Sequence, residues 1–324
     1  MVVKLNAFGR AIPPLRECVI SKELRGLLLR QLVGIFSQQG GGEKVGLAER
    51  IFETTATGTR DEDAACAAQQ LLADAGVLHH LRGGLAGRSA RIFAQIQPHL
   101  MGPSILDYGC GDGEVGRRIS DLGYMVSLCD IMDYRSEAAH RLPWRLLEPN
   151  TGEGLSNVDL DSLLLLTVLH HCENPESTLI LVKSLRPKRI ITIESVYDVS
   201  ADEVFRGAYI ETCGTTDART WLHLQKDEQF CYACFWDWFY NKVVNSGVVV
   251  PYNFSRPDVW RDRFGMIGYD EANRVYLGID QPLVPEFHVL QVFGMVRRAP
   301  ASSSVRNGAD GLSMAGSADK GNTN

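Results

Sequence analysis

ILDYGCGDGEVG, residues 105–116, decides how this chain folds. Its apolar start reads as a β-strand that closes at Asp107. Gly109, Gly111 and Gly113 then alternate with other residues before a helix begins. Glycine is needed where backbone turns tightly or lies against a ligand. The turn also falls at the carboxyl end of a first strand, where open α/β sheets bind their ligands. Downstream, YMVSLCD reads as a strand ending at Asp130, and SEAAHRL is helix-prone. The unbroken apolar run of DSLLLLTVL suits a central strand covered on both faces. PESTLILVKSL reads as a helix, RIITIES as a further strand, and VYLGID with FHVLQVF as a terminal strand pair. This alternation predicts an α/β fold with a mainly parallel sheet and helices on both faces.

The same letters hold a GxGxxG (Gly111, Gly113, Gly116), which in a dinucleotide enzyme would seat a pyrophosphate on the helix N-terminus. Asp107 stands two residues before the first glycine. A carboxylate there repels a pyrophosphate and suits an ammonium group. S-adenosylmethionine (SAM) carries an α-amino group and a sulfonium and no phosphate, so electrostatics favours SAM. Asp130 ends the next strand, where an acidic side chain can accept both ribose hydroxyls; Asp133 is its rival. Asp107, Gly109, Cys110, Gly111, Gly113, Asp130, Ile131, Thr151 and Thr167 are therefore the expected cofactor-binding residues.

With ILDYGCGDG, LCD and DSLLLLTVLHHCENP in place, the chain resembles the class I SAM-dependent methyltransferases. Within them it resembles small-molecule enzymes with a VLHH strand exit, a proline-started helix and a SLRP segment, here Ser184–Pro187. The likeness spans residues 105 to 196 well and the terminal strands loosely. It implies a Rossmann-like, seven-stranded, mainly parallel sheet with an antiparallel last strand. It also implies that the Asp107–Gly113 loop holds the methionine end of SAM and Asp130 its ribose. In this family an acidic residue before the fourth strand commonly contacts the adenine amine. Here that loop reads EPNTGEGLSNVD, and Asn150, Thr151 and Glu153 stay open as candidates.

Methyl transfer is an in-line displacement that depends on holding the acceptor atom close and aligned. His170 and His171 close the fourth strand and are the candidate general bases. If they continue the strand, their side chains alternate and only one reaches the site. Glu194, at the end of the fifth strand, either orients a polar acceptor or pairs structurally. Asp237 lies inside CYACFWDWFYNKV, whose aromatics surround any helix it forms, so this acid is expected to be buried and to need a partner. Pro251–Phe254 and Trp260 are candidates for the acceptor wall, and His288 reads as a strand-edge residue.

Three regions are expected: an N-terminal helical cap (1–88), a SAM-binding domain (89–299) with an aromatic-rich insertion (197–264), and a disordered tail (300–324). The cap's helices, followed by VLHHLRGGLAG as a short hairpin, would make a winged-helix-like unit, which favours a homodimer; a plain helical cover is the alternative. The tail is poor in apolar residues and cannot offset ordering entropy. The chain has 324 residues, 45% of them hydrophobic, and a net charge of −6. A basic excess suited to nucleic acid is absent, and so are a secretory h-region and an apolar run of membrane-spanning length. Eight scattered cysteines suit free thiols in a reducing, cytoplasmic setting. Cys231 and Cys234 form a lone CxxC, read as two small apolar side chains, and no metal set is predicted. The expected function is methylation of O, N or C on a small, partly apolar molecule. The rivals are a methyltransferase-like subunit without catalysis and an NAD(P)-dependent oxidoreductase.

Overall fold

The computed structural model describes residues 4–18, 21–38, 44–58, 60–84, 86–147, 159–199, 215–245, 248–279 and 284–296. The strands are β1 (Ser104–Tyr108), β2 (Met125–Asp130), β3 (Trp144–Leu146), β4 (Ser162–Leu166), β5 (Arg189–Ser195), β6 (Tyr269–Gly278) and β7 (His288–Met295). They form one sheet in the order β3-β2-β1-β4-β5-β7-β6. Pairs among β1 to β5 are parallel, and β7 runs antiparallel to both neighbours. This is the seven-stranded, mainly parallel Rossmann-like sheet expected from the sequence.

β4 is buried along its whole length because it is central and covered on both faces. β3 escaped the sequence reading. It is a three-residue edge strand with two exposed positions, so it carries no apolar run. NPE starts a helix as read: the Asn174 side chain accepts from the Glu176 N–H, and Pro175 is the first residue of the helix Pro175–Leu185. Register sets the site. Asp107 lies level with Leu128 of β2 and Leu164 of β4. Ser195 at the end of β5 lies opposite His288 at the start of β7.

The N-terminal residues form helices at Lys22–Gln38, Lys44–Thr57, Asp61–Asp74, Leu78–Gly84 and Ala86–Ile96. The expected hairpin after Gly76 is not there; residues 78–84 are helical. Val77 and Leu81, one helical turn apart, are both buried, and this packing overrides the turn signal of Gly83–Gly84. Leu24, Leu28, Ile51 and Phe52 share one apolar cluster with Trp221, Phe235, Trp236 and Phe239. The same cluster takes in Val196 and Val289, so this layer sits on the end of β5 and the start of β7. The helix Lys226–Trp238 is buried on nearly every side and continues as a π-type turn over Phe239–Val244. Cys231 and Cys234 lie on it as free thiols. No described helix is long and apolar enough to cross a membrane. The expected tail lies outside the described residues.

Candidate active site

The glycine loop is tied to the end of β2. The N–H groups of Gly109 and Cys110 both donate to the Cys129 carbonyl, at 2.9 and 3.1 Å. Gly111 N–H donates to Asp130 Oδ2 at 2.8 Å, and Ile131 N–H to Oδ1 at 2.7 Å. Asp130 thus clamps the loop as well as standing at the expected ribose position. Gly109, Gly111 and Gly113 all have left-handed φ, at 71°, 53° and 69°. A Cβ on Gly109 would meet Val168 Cγ2 at 2.5 Å, and one on Gly113 would meet Ala139 Cβ at 2.9 Å. A Cβ on Gly111 would meet nothing within 4 Å. Two glycines are therefore required by packing, and the third leaves bare backbone facing open space.

Asp107 is 2% exposed, and its Oδ2, which lies against Gly116, has no well-formed hydrogen bond, the Gly116 N–H giving it only a weak pull. Burial pushes its carboxyl up to about 7, helped by the charges of Asp112 and Asp130. A buried carboxylate oxygen without a well-formed hydrogen bond is costly unless a ligand satisfies it. Beside Asp130, Ile131 and Met132 are exposed apolar side chains. Asp133, the other acid near this strand end, is engaged by its own neighbour. It is held by Arg135 through two hydrogen bonds of 2.8 Å, which pull its carboxyl down to about 2. Thr151, with Asn150 and Glu153, lies outside the described residues.

At the exit of β4 the structure corrects the strand reading of the two histidines. The strand stops at Leu166, and Thr167 has a φ of 58°, an outlier for a β-branched residue. Leu169–His171 then forms a 3-10 turn, which ends the side-to-side alternation. Both imidazoles consequently lie on the same side, ring centres 4.2 Å apart. Thr167 accepts from Arg88 Nη2 at 3.3 Å. Cys110 is buried within the loop.

Glu194 organises this turn. Val168 and Leu169 N–H donate to Oε1 at 3.0 and 2.9 Å, and His170 N–H donates to Oε2 at 3.3 Å. His170 Nδ1 lies 2.6 Å from Oε2. Burial raises Glu194 to about 7, against the pull of these donors, and lowers His170 to about 4. His170 is therefore neutral near pH 7, with Nδ1–H donating to Glu194 and Nε2 carrying the lone pair. His171 Nδ1 faces the Val249 carbonyl at 3.2 Å, leaving its Nε2 3.7 Å from Asp237 Oδ1. Asp237 is fully buried and accepts from Asn241 Nδ2 at 2.7 Å, while its Oδ2 has no partner.

A further set of polar groups gathers here, which the sequence reading missed or read as structural. Arg88 interacts with Glu286, Asp112 and Tyr240. Glu286 accepts from the Ser195 hydroxyl, and burial raises its carboxyl to about 8. Ser195 Oγ lies 3.3 Å from His288 Nε2, so His288, at the start of β7, is buried beside this group. Its Nδ1, the Tyr240 hydroxyl and the Trp236 indole N–H have no partner. These residues come from five separate elements and carry no common spacing. Only the segment's density of aromatics and the acid at Asp237 hinted at them. Of the expected wall, Phe254 stacks on His170 at 5.2 Å. Trp260 does not join it; it packs with Leu106 and Phe264 in another core cluster. Two open surface clefts, of about 700 and 400 Å³, lie elsewhere, one beside Arg117 and Arg141 and the other beside Phe8 and Arg263. The site is located by its side chains and not by these clefts.

No family model and no curated protein matches this chain. Among solved structures it is similar to the magnesium protoporphyrin IX methyltransferase of Synechocystis PCC 6803, which holds S-adenosylhomocysteine (SAH). That match has 13% identity and a TM-score of 0.40, covering 67% of this chain and 85% of that one. It is also similar to the 1,6-didemethyltoxoflavin-N1-methyltransferase of Burkholderia thailandensis, with its substrate and SAH bound. Here identity is 12% and the TM-score 0.41, covering 65% and 79%. A SAM-dependent methyltransferase of Methanosarcina mazei matches at 10% identity and a TM-score of 0.42, covering 63% and 98%. The seven-stranded, mainly parallel sheet with its antiparallel last strand is the architecture that the motif resemblance implied.

Proposed function

We propose that this chain is a SAM-dependent methyltransferase acting on a small, partly apolar molecule. The observation that carries this reading is an acid-flanked glycine loop: Asp107 is buried at the end of β1, Asp130 holds the Gly111 N–H, and the backbone at Gly111 faces open space. An ammonium group suits the acids, and a chain without phosphate can lie along the backbone between them. A pyrophosphate would instead face Asp107, Asp112 and Asp130 together, which disfavours a dinucleotide. Bound SAM would supply an activated methyl on its sulfonium. Asp130 then offers its remaining lone pairs to the ribose, and the exposed Ile131 and Met132 offer an apolar face to the base.

The acceptor would lie between Phe254, Trp236 and Tyr240, with Arg88, Tyr240 and His288 as polar contacts. Apolar walls with a few convergent polar groups are what small-ligand sites require. His170, backed by Glu194, and His171 mark the corner where an acceptor proton is lost. Calorimetric titration with SAM, SAH and NADH tests the cofactor. Binding of both sulfur nucleosides but not NADH is expected. Binding of NADH alone would move attention to Gly111–Gly116 as a dinucleotide turn. SAM binding without turnover over a broad acceptor panel would favour a non-catalytic subunit.

A further inference from the structure

We infer that His170, His171 and Asp237 form a binding site for one divalent first-row transition-metal ion. The inference deepens the methyltransferase reading and rests on it only for the ion's use. One ligand atom from each of the three residues lies within 4.8 Å of the others. Donors at about 2.0–2.2 Å from one ion lie about 3–3.5 Å apart, so the three side chains would draw together on binding it. His170 Nδ1 and His171 Nδ1 are engaged by Glu194 and by the Val249 carbonyl, which leaves both Nε2 atoms free. A metal-bound imidazole almost always has its other nitrogen held by a carboxylate or a carbonyl, and each histidine here has one of these. Asn241 donates to Asp237 Oδ1 at 2.7 Å, so the third ligand has an outer partner too.

Asp237 supplies the independent observation. It lies at 0% exposure on an aromatic helix, and its Oδ2 accepts no hydrogen bond. A bound cation is one of the few ways to keep a buried carboxylate of this kind ionised. Two imidazoles and one carboxylate suit zinc, iron or a similar ion; magnesium and calcium prefer all-oxygen sets. Three protein ligands leave open positions. An acceptor hydroxyl bound there would lose its proton more readily, as metal-bound water does. The acceptor class this selects is an oxygen nucleophile, preferably one with a second donor atom to chelate. Sequence spacing conceals the site because Asp237 is brought to the histidines only by the packing of a distant helix.

Full-length, tag-free, EDTA-treated protein would be titrated with Co²⁺, Zn²⁺ and Mg²⁺ by calorimetry, with the visible absorbance of Co²⁺ as a second readout. One Co²⁺ per chain is expected, displaced by Zn²⁺ and not by Mg²⁺. Glu194→Gln should weaken binding by about 10–100-fold, the usual effect of losing an outer partner. Asp237→Asn and the half-buried His171→Gln should weaken it further, and His80→Ala, an exposed control, should not change it. Circular dichroism of each variant reports folding. No Co²⁺ bound by the unaltered protein would overturn the inference, as would unchanged affinity in both Asp237→Asn and His171→Gln. SAH titration of the same samples separates the two readings: Co²⁺ binding without SAH binding would retain the metal site and remove the cofactor assignment.

Discussion

Replacing Asp107 with asparagine should stabilise the ligand-free protein at alkaline pH while it weakens cofactor binding. The carboxyl is pushed from 3.8 to about 7, chiefly by burial. Folding therefore favours the protonated form, and between these values the folded state binds more protons than the unfolded one. Stability falls as pH rises through that window. At about 1.36 kcal/mol per pH unit, Asp107 alone removes about 2.5 kcal/mol between pH 5 and pH 8. Asparagine has no charge to desolvate, so this part of the slope should vanish. Chemical denaturation of both proteins at pH 5 and pH 8, without ligand, reads the difference. The stability gap should shift in favour of Asp107→Asn by about 2–3 kcal/mol across that range. Glu194 and Glu286 are also raised and add to the slope, but they are common to both proteins. A charge-assisted hydrogen bond contributes about 1.5–3 kcal/mol, so SAH should bind the variant roughly 10–150-fold more weakly. An unchanged pH slope would mean that Asp107 is already satisfied as an anion. Unchanged SAH affinity would mean that the ammonium group lies elsewhere. Either result refutes the reasoning.

Gly109→Ala and Gly111→Ala should fail in opposite ways. The first collides with Val168 and should cost about 1–3 kcal/mol of stability. The second meets open space, so its cost should be about 1–2 kcal/mol of backbone strain, with SAM binding lost; thermal unfolding with and without SAH distinguishes the two. Tyr240→Phe removes a buried hydroxyl without a partner, so unfolding stability should hold or rise while the KM for the acceptor increases and that for SAM does not. SAM binding at pH 7 should release about half a proton, because an ammonium group beside Asp107 lowers a carboxyl that is about half protonated there. Calorimetry in buffers of different ionisation enthalpy measures this, and zero release would argue against the contact.

The primary structure by itself determined the sheet apart from its edge strand β3, and the glycine loop. Strand identity lies in local runs such as DSLLLL and RIITIES, and the loop's demands lie in three closely spaced glycines flanked by Asp107 and Asp130. Such features depend on neighbours a few residues apart, and local backbone geometry enforces them. The aromatic segment was legible as buried, since no helix lined with aromatics on every side can stay in water. What tertiary structure decided was the other half of the candidate site. Arg88, Asp237, Tyr240, Glu286 and His288 come from distant elements that meet only because N-terminal helices and the aromatic helix pack over the end of β5. The pairing of His170 with His171 was likewise settled in three dimensions. The left-handed backbone of Thr167 and the N–H groups gathered by Glu194 turned a presumed strand into a tight turn. Alternation along a sequence holds only while the strand does, and its end is set by contacts that the sequence does not place side by side.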